Sequence, residues 1–404
     1  MTLRQAQDGA LRVAMIGYGF MGAAHSVGWR QAPRVFSLPQ AVEMAVVVGR
    51  NAEAVADAAT RWGWQESATN WREVIARDDI DIVDIVTPGD SHAEIAIAAL
   101  EAGKHVLCEK PLANTVAEAE AMADAAARAA ARGIRSMVGF TYRRVPAVTL
   151  LRDLIAQGAV GRIAQVRAAY RQDWLVDPAM PLAWRLQKEH AGSGALGDIG
   201  AHIIDMTQFV TGVEVTSVSG VLDTIVKQRP LQGSGSGLSG TAAAGVGDVT
   251  VDDVAIFTGR LSTGALVSFE ATRFATGRKN DLSIEVSGDK GALRFDLEDL
   301  NTLWFYDRTA PEATQGFTRI LVTEPQHPYV AAWWPAGHML GYEHGFSHQV
   351  VDLVTAIAEG SDPHPSFAEG LSVQRVLAAV EESSDNGSGW VRVEAPVAAG
   401  TTAD

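Results

Sequence analysis

The sequence predicts an α/β protein: an N-terminal Rossmann fold with a doubly wound parallel sheet, followed by a C-terminal α+β domain with a large, open, mostly antiparallel sheet. Three observations predict this class. Strand-like apolar runs alternate with helical patterns up to about residue 140, as in βαβ units. A glycine-rich turn at 17–22 follows the first run directly. Farther along, the runs 163–167, 265–269 and 282–286 alternate apolar and polar residues, as strands with one solvent-exposed face do.

Length and charge set the broad class of the protein. At 404 residues the chain exceeds the usual size of one core. We therefore expect two domains, 1–140 and 141–404, with the C-terminal helix able to pack back on the first. The formal charge of −15 repels phosphate backbones and anionic membrane surfaces, so neither nucleic acid nor membrane is an expected partner. A single cysteine excludes an internal disulfide, and no signal peptide or membrane span is visible, which indicates a cytoplasmic protein.

The first strand, 11–16, leads straight into the glycine turn, and a helix follows. Gly17 permits a tight turn, Gly19 lets a pyrophosphate approach the backbone, and Gly22 lets the helix pack closely. The first N–H groups of that helix then face the phosphates. The turn alone is a weak signal, and a simple glycine-rich turn is the alternative. Its position after an N-terminal strand favours a dinucleotide site.

The second strand, 44–48, ends at Gly49, Arg50 and Asn51. An NAD-binding fold usually offers an acid to the adenosine ribose at this place, and none is present. Arg50 is able to pair with a 2′-phosphate or to stack on adenine, whereas Asn51 is suited to cap the next helix. The sequence therefore does not predict strict exclusion of NADP.

Strand and helix keep alternating beyond this point. We expect strands at 82–86, 105–108 and 136–138, with helices at 93–102 and 116–132. Ligands of such sheets lie at the carboxyl ends of the strands. The residues that fall there are Thr87, Pro88, Glu109 and Lys110.

The segment 192–205 carries the strongest candidate for acid–base chemistry. Asp198 and His202 are four residues apart, so in a helix they share one face, and Asp205 continues the stripe. A second, apolar stripe contains Ile199, Ile203, Met206 and Val210. A carboxylate one turn from an imidazole can orient the ring and keep its pKa near neutrality. The alternative is an acid at a helix N-terminus beside a histidine buried in the core.

The remaining segments are less informative. We expect a helix starting at 142–146, a mobile loop rich in Gly, Ser and Ala at 232–248, a helix at 371–381 and a frayed tail from 401. His338, His344 and His348 lack the spacing of a metal-binding set, so no metal is expected.

The glycine turn, Glu109-Lys110-Pro111 and the run 198–202 together resemble the Gfo/Idh/MocA oxidoreductases, in order and in approximate separation. The resemblance covers essentially the whole chain. Within the family the chain looks most like the branch of levoglucosan and inositol dehydrogenases. The residues that carry this finer likeness are Trp184, Arg185, Tyr329, Trp333, Trp334 and His344.

The resemblance implies that Lys110, Asp198 and His202 are the catalytic residues. Lys110 and His202 would flank the reacting carbinol, and Asp198 would bind an adjacent hydroxyl or steer His202. In the family a cis peptide often precedes Pro111 and aims the lysine into the cleft. We expect the cofactor, NAD with NADP possible, to contact Gly17, Gly19, Phe20, Met21, Gly22, Arg50, Thr87, Pro88, His92, Glu109 and Lys110. We expect the substrate to contact Lys110, Tyr142, Arg143, Trp174, Arg185, Lys188, Asp198 and His202.

Several of these assignments have structural alternatives. Aromatic faces and charged donors often meet polyols, but Tyr142 and Trp174 suit a core equally well. Lys110 has the alternative of a solvated surface lysine, and His92 that of starting a helix.

The function expected is NAD(P)-dependent oxidation of a secondary hydroxyl of a sugar, a levoglucosan-like anhydrosugar or a cyclitol to the ketone. Inositol and glycoside 3-dehydrogenases of the same family are alternatives within this class. A non-catalytic NAD(P)-binding regulator is an alternative of another class, and retention of Lys110, Asp198 and His202 speaks against it. A redox-cycling hydrolase or self-recycling oxidoreductase that keeps its nucleotide is a third. The open sheet also predicts a homo-oligomer, a dimer or a tetramer, because an uncovered apolar face would otherwise be exposed.

Overall fold

The computed structural model describes residues 9–233 and 241–394. Its N-terminal half is built on a six-stranded parallel sheet with the order β3-β2-β1-β4-β5-β6. The strands are β1 (Leu11–Ile16), β2 (Val42–Val48), β3 (Glu66–Ala68), β4 (Ile82–Ile85), β5 (His105–Cys108) and β6 (Ser136–Val138). The intervening helices are α1 (Phe20–Val35), α2 (Ala52–Trp62), α3 (Trp71–Ile75), α4 (His92–Glu101) and α5 (Val116–Ala130).

Both faces of this sheet are buried. Alternate residues of one strand enter different apolar clusters: Ala14 and Ile16 of β1 join one, while Val13 and Met15 join the other. A sheet covered on both faces is what near-continuous apolar strands indicate. The chain reverses its winding between β1 and β4, which are neighbours in the sheet. That reversal opens a crevice at the carboxyl ends of the two strands, the usual ligand position.

The C-terminal half contains a nine-stranded sheet with the order β16-β15-β14-β13-β7-β12-β11-β8-β17. All neighbours are antiparallel except β7 and β12, which run parallel. The strands of this half are β7 (Ile163–Arg171), β8 (Val215–Asp223), β9 (Gln228–Gln232), β10 (Ala242–Asp248), β11 (Val254–Leu261), β12 (Leu266–Thr272), β13 (Asp281–Gly288), β14 (Gly291–Asp296), β15 (Thr302–Asp307), β16 (Phe317–Leu321) and β17 (Val391–Arg392). Of these, β9 and β10 pair with each other in a separate two-stranded sheet. The helices are α6 (Pro146–Ala156), α7 (Lys188–Ala191), α8 (Ala201–Thr211), α9 (His344–Glu359) and α10 (Phe367–Asp385). This architecture confirms the predicted fold class.

The large sheet is covered unevenly. Helices α6, α8 and α10 pack against its strands on one side. On the other side apolar residues remain exposed: Val221 by 52%, Ile256 by 58% and Leu266 by 46%. Helices α9 and α10 also pack on α1 and α5 of the N-terminal half. The packing includes an ion pair of 2.9 Å between Arg375 and Glu120.

Some local predictions were wrong. Residues 242–248 form β10, which pairs with β9, so this part of the predicted mobile loop is a hairpin strand. Residues 234–240 lie outside the described residues, as does the predicted tail from 401. The helix expected to begin at 142–146 begins at Pro146, because 141–144 form a 3₁₀ turn. Over the described ranges, none of the helices has the length and apolar character needed to cross a membrane.

Candidate active site

The glycine turn between β1 and α1 is shaped for close backbone approach. Gly17 has a φ of +113°, and a Cβ there would lie 2.9 Å from the Val86 carbonyl oxygen. A Cβ at Gly22 would lie 2.9 Å from the Gly17 carbonyl oxygen. A Cβ at Gly19 would meet nothing within 4 Å, so the space beside this residue is open to a ligand. Helix α1 follows with no side-chain cap and no acid in its first turn.

This geometry fits the pyrophosphate of NAD. The first N–H groups of α1, those of Phe20, Met21 and Gly22, have no partner within the helix, and the helix dipole favours an anion in front of them. At the adenosine end, the Tyr18 ring lies against Gly49, where a Cβ would come within 2.0 Å of it. Arg50 is exposed beside it. Asn51 caps α2 by accepting from the Ala54 N–H at 3.0 Å, as predicted.

His92 ties two loops of the crevice together. Its Nε2 lies 2.9 Å from the Thr87 carbonyl oxygen and its Nδ1 lies 3.0 Å from the Pro111 carbonyl oxygen. The ring is buried, with 1% exposure. Its two ring nitrogens therefore fix the positions of the loops that carry Pro88 and Lys110.

Glu109 belongs to a buried ion cluster. Its Oε1 lies 2.9 Å from His25 Nε2, and its Oε2 accepts from the Lys110 N–H at 3.1 Å. His25 Nδ1 lies 3.0 Å from both carboxylate oxygens of Asp84, and Asp84 also accepts from Trp29 Nε1 at 2.7 Å. Burial alone would lower the pKa of His25, but Asp84 and Glu109 outweigh it and raise the pKa to about 10. The imidazole is therefore protonated between two carboxylates at neutral pH.

Lys110 reaches the helical segment that carries Asp198. The Lys110–Pro111 peptide is cis, as the family resemblance implies. The Lys110 Nζ donates to the Asp198 carbonyl oxygen at 2.6 Å and to Asp198 Oδ1 at 3.3 Å. Asp198 lies in a π-helical turn, Leu196–Gly200, which precedes α8. Turns of this kind occur often at functional sites because they redirect backbone and side chains.

A second cation faces Asp198 from the large sheet. Nη1 of Arg273, just after β12, lies 3.6 Å from Asp198 Oδ2, and the Arg273 side chain is fully buried. Burial alone would raise the pKa of Asp198, but Lys110, Arg273 and Arg185 outweigh it and hold the pKa well below its usual range. Asp198 is therefore a carboxylate at any physiological pH. It anchors Lys110 and can accept from a ligand hydroxyl.

The segment before the π turn is fixed by Asp252. Its Oδ1 accepts from the Gly194 N–H at 2.7 Å and its Oδ2 from the Leu196 N–H at 2.8 Å. A Cβ at Gly194 would lie 1.8 Å from the Asp252 carbonyl oxygen. The close neighbour of Gly194 is therefore the protein backbone.

His202 lies in an aromatic pocket. Its ring centroid is 4.7 Å from that of Tyr142, 5.8 Å from Tyr170 and 5.9 Å from Phe140. Burial, and then the charge of Lys110, hold the pKa of His202 well below its usual value, against the opposing effect of Asp198. The expectation that Asp198 keeps this pKa near neutrality was therefore wrong. The ring is neutral at pH 7 and can accept a proton.

Trp174 and Arg185 flank the same carboxylate region. The Trp174 ring lies 5.4 Å from the Arg273 guanidinium. Arg185 stacks over Trp184 at 4.4 Å, and its charge acts on Asp198. Lys110, Asp198, His202, Tyr142, Trp174 and Arg185 are thus associated with one region of the molecule.

Three residues are placed elsewhere. Arg143 is buried, donates to Asp205 at 2.6 and 2.9 Å, and donates to Glu369 at 2.7 Å, so its guanidinium is fully engaged. Asp205 does not continue the polar stripe of Asp198 and His202, because it serves this buried ion pair. Lys188 is 63% exposed and pairs with Glu381 at 3.5 Å. It lines a cavity of about 240 Å³ that also contains Ser193 and Lys227.

Sequence reasoning missed His25, Tyr170, Arg273 and Asn280. Arg273 follows the end of β12. The parallel pairing of β12 with β7 cannot be seen in the alternation of apolar and polar residues along the strand. His25 lies within α1, the first helix after the glycine turn. A polar residue in a helix that packs on the sheet was the only signal. Over the described ranges, no group of three or more His, Cys, Asp or Glu side chains is arranged to hold a metal ion.

The arrangement is suited to removing a proton from a hydroxyl group. It offers a neutral imidazole as base, an ammonium to stabilise a developing alkoxide, and a carboxylate that holds the ammonium. Beside it lies a crevice that fits a dinucleotide.

Comparisons with known proteins agree with this geometry. Residues 11–139 match the family model of the oxidoreductase family with an NAD-binding Rossmann fold, and 148–294 match the GFO/IDH/MocA C-terminal domain. The levoglucosan dehydrogenase of Pseudarthrobacter phenanthrenivorans is 44% identical over 388 residues, which are 95% of this chain and 98% of that protein.

Two solved structures extend the similarity to the whole fold. An oxidoreductase domain protein from Kribbella flavida superposes with a TM-score of 0.91 at 63% identity, covering 96% of this chain and 100% of that chain. A levoglucosan dehydrogenase in complex with NADH and levoglucosan superposes with a TM-score of 0.89 at 42% identity, covering 95% and 100%.

Proposed function

The chain belongs to the Gfo/Idh/MocA family of oxidoreductases, and from this premise we propose that it oxidises a secondary hydroxyl of levoglucosan, or of a very similar anhydrosugar, to the ketone with NAD. The observation that carries the proposal is the convergence of Lys110, Asp198 and His202. Lys110 Nζ lies 2.6 Å from the Asp198 carbonyl oxygen. His202 is placed on the following helical turn. The substrate is inferred from the relative that matches 95% of this chain.

The chain's own residues divide the chemistry between them. His202, neutral because burial lowers its pKa, takes the hydroxyl proton. The Lys110 ammonium lowers the pKa of the alcohol and stabilises the charge that develops on its oxygen. Asp198 holds Lys110 in place through the 3.3 Å contact. NAD, when bound, supplies the acceptor for the hydride that leaves the carbinol carbon.

Residues of the N-terminal half would hold the cofactor. We assign the pyrophosphate to Gly17, Gly19, Phe20, Met21 and Gly22, and the adenosine side to Arg50. We assign the nicotinamide side to Thr87, Pro88, Glu109 and Lys110, with His92 supporting the two loops. Tyr142, Trp174 and Arg185 are assigned to the substrate, whereas the positions of Arg143 and Lys188 argue against such a role for them.

A spectrophotometric screen tests the proposal. Levoglucosan, myo-inositol, glucose and simple glycosides are each offered with NAD and with NADP, and formation of free NADH or NADPH is followed. Fast NAD reduction with levoglucosan is expected. Preference for myo-inositol or a glycoside would transfer the assignment to the inositol or glycoside 3-dehydrogenases. No turnover with any of them would favour a non-catalytic regulator, and NADH that stays bound would favour a self-recycling enzyme.

Variants then test the roles. Lys110→Ala and His202→Ala should retain NAD binding but lose turnover by about 10²- to 10⁴-fold, the usual scale for acid–base groups. Lys104→Ala is a poor control because Lys104 is buried, bonded to two carbonyl oxygens. Lys290→Ala removes another lysine outside this region and should leave turnover unchanged. Near-wild-type turnover by either active-site variant would remove that residue from the mechanism.

Cofactor preference is tested at Arg50. We propose measurable NADP activity, since Gly49, Arg50 and Asn51 at the end of β2 include no acid to repel a 2′-phosphate. Arg50→Ala should weaken NADP more than NAD. If NADP binds tenfold or more tightly than NAD, a difference of about 1.4 kcal/mol, Arg50 reads the phosphate and the preference for NAD is wrong.

We also propose a cytoplasmic homo-oligomer whose two domains divide near residue 140. The uncovered face of the large sheet supports the oligomer, because the cross-strand partners Val221 and Ile256 are exposed there, as is Leu266 farther along the sheet. Sedimentation showing a monomer at micromolar concentration would contradict it. The single, buried Cys108 is consistent with a reducing compartment.

A further inference from the structure

A chain of hydrogen bonds runs behind the substrate region through five side chains. Trp174 Nε1 donates to Gln172 Oε1 at 3.0 Å, and Gln172 Nε2 donates to Asn280 Oδ1 at 2.9 Å. Tyr170 Oη lies 2.7 Å from the same Asn280 oxygen. Tyr142 Oη lies 2.8 Å from Tyr170 Oη, and the Tyr142 ring faces His202 at 4.7 Å. This chain of hydrogen bonds thus connects Trp174, beside Arg273, with Tyr142, beside His202.

The direction of this chain is fixed at the Trp174 end. An indole N–H can donate but cannot accept. The Gln172 atom that faces it must therefore be the carbonyl oxygen, and the Gln172 atom that faces Asn280 must be the amide nitrogen. A donor there requires an acceptor, so Asn280 presents its oxygen.

The same reasoning continues to Tyr142. Because Asn280 presents an oxygen, Tyr170 must donate its hydroxyl proton to it. The Tyr170 oxygen then accepts from the Tyr142 hydroxyl. Burial raises the pKa of Tyr142 and raises that of Tyr170 well above its usual value, so both phenols keep their protons at neutral pH. The Tyr142 oxygen is left with lone pairs only.

We propose that Gln172 and Asn280 are positioning residues that make Tyr142 a pure hydrogen-bond acceptor toward the substrate. The site then selects a substrate hydroxyl that donates to Tyr142. This inference rests on the proposed function and deepens it.

The cationic side chains nearby support the selection of a hydroxyl that donates to Tyr142. Lys110, Arg185 and Arg273 are all donors, and a sugar hydroxyl is able to accept from a donor and donate to Tyr142 at once. An ether oxygen, a fluorine or a carbonyl oxygen in the same place can only accept. Each would leave the Tyr142 oxygen facing another acceptor, and unsatisfied buried polar groups are the main source of discrimination against missing hydroxyls.

The test uses analogues of the polyol that the wild-type enzyme oxidises fastest in the screen above. Each non-reacting hydroxyl is replaced in turn by fluorine, which is similar in size but cannot donate. The measured quantity is the ratio of kcat/KM for the parent polyol to that for its fluoro analogue. In the wild type, one position should show a ratio of about tenfold or more, as expected for an acceptor left without a donor.

Two substitutions that each replace an amide by a carboxylate distinguish an effect of hydrogen-bond direction from a general structural effect. In Asn280→Asp, the new carboxylate still accepts from Gln172 and Tyr170, so the direction and the fluorine ratio are kept within about threefold of the wild type, well inside one hydrogen bond's effect. In Gln172→Glu, the new carboxylate accepts from Trp174 and faces Asn280, which must turn its amide nitrogen toward it. Asn280 then donates to Tyr170, Tyr170 donates to Tyr142, and Tyr142 turns its proton to the substrate. The fluorine ratio should fall at least severalfold, mainly through KM.

A neutral variant guards against a folding defect. Trp174→Phe removes the donor that fixes the direction without adding charge, so its ratio should fall below that of the wild type. Equal ratios in Gln172→Glu and Asn280→Asp, or a wild type that tolerates fluorine at every non-reacting position, would overturn the inference. Absence of turnover of every polyol by the wild type would instead contradict the proposed function.

Discussion

Two buried ion clusters lie behind Lys110 and His202, the side chains to which we assign the chemistry. Next to Lys110, the His25 imidazole lies between the carboxylates of Asp84 and Glu109, at 3.0 and 2.9 Å. Asp205 lies one turn beyond His202 on α8. The Arg143 guanidinium lies between the carboxylates of Asp205 and Glu369, at 2.6 and 2.7 Å. Each cluster holds the element that carries a reacting group. They differ in the cation and in contact with solvent.

The difference decides how each cluster responds to pH. The His25 cluster is sealed, with exposures of 2%, 0% and 4% for His25, Asp84 and Glu109. Its cation titrates. The Arg143 cluster reaches solvent through Glu369, whose side chain is 34% exposed, and a guanidinium keeps its charge at any accessible pH. The comparison teaches that the lysine side of the site depends on a bound proton, whereas the histidine side is held by a permanent charge.

The largest effect should come from removing the permanent charge. Arg143→Met leaves Asp205 buried without a cation, and breaking a buried pair this way costs about 3–5 kcal/mol. Burial already raises the pKa of Asp205 despite Arg143. The loss should appear in the free energy of unfolding measured in urea. The double variant Arg143→Met with Asp205→Leu should recover much of it.

The same experiment checks the sequence-based assignment of Arg143 to the substrate. If Arg143→Met raised KM for the polyol with no loss of stability, the guanidinium would be a substrate ligand after all. The two clusters would then not be comparable.

An effect that is smaller per pH unit concerns the proton in the sealed cluster. The pKa of His25 in the folded state, about 10, lies above its ordinary value of 6.5. The stabilisation is therefore complete below the unfolded pKa and is lost as pH rises toward 10. Its slope is at most about 1.4 kcal/mol per pH unit, the value for one proton. We expect the free energy of unfolding to decline over this window.

In His25→Gln the decline toward pH 10 should disappear, since glutamine does not titrate. Any remaining pH dependence should lie at lower pH, where the uncompensated carboxylates of Asp84 and Glu109 take up a proton. His105 provides a matched control because burial lowers its pKa to about 4, so it is already neutral. His105→Gln should leave the slope unchanged. An identical slope in the wild type and in His25→Gln would show that the pH dependence arises elsewhere.

The next effect is on turnover. Glu109 accepts from the Lys110 N–H at 3.1 Å and is itself fixed by His25. His25→Gln should loosen Lys110 and lower kcat by about ten- to hundredfold, the scale of a small misplacement of a catalytic group. The dissociation constant for NAD should change little. Equal losses in kcat and in NAD affinity would show a general disruption of the Rossmann half instead.

The two clusters also show how far the sequence could lead. The glycine turn, Lys110 and the 198–202 run were visible because backbone chemistry and helix spacing leave marks in a sequence. Arg143 was seen but misplaced, because an arginine beside aromatic residues looks the same whether it meets a sugar or a buried aspartate. His25 was not seen, since its partners are 59 and 84 residues away.

The proximity of Gln172, Asn280 and Arg273 was not predicted, for a related reason. Gln172 and Arg273 come directly after β7 and β12, and Asn280 comes directly before β13. Only the register of β7 with β12 and β13 brings them together. The alternation of a strand shows which face is buried but says nothing about which strand is its neighbour. The π turn at 196–200 was likewise invisible, because a single turn with i→i+5 hydrogen bonds leaves no repeating pattern in the sequence.

The smallest effect on the free energy of unfolding should come from an exposed ion pair, which contrasts with the two buried clusters. Lys188 and Glu381 lie 3.5 Å apart, and their side chains are 63% and 33% exposed. Exposed pairs contribute about 0–1 kcal/mol, because water screens them and two long side chains lose rotamer freedom. Lys188→Ala should therefore change the free energy of unfolding by less than about 1 kcal/mol and KM by less than about twofold. A large rise in KM with unchanged stability would return Lys188 to the substrate pocket, and it would show that exposure in the free chain is a poor guide to distance from the substrate.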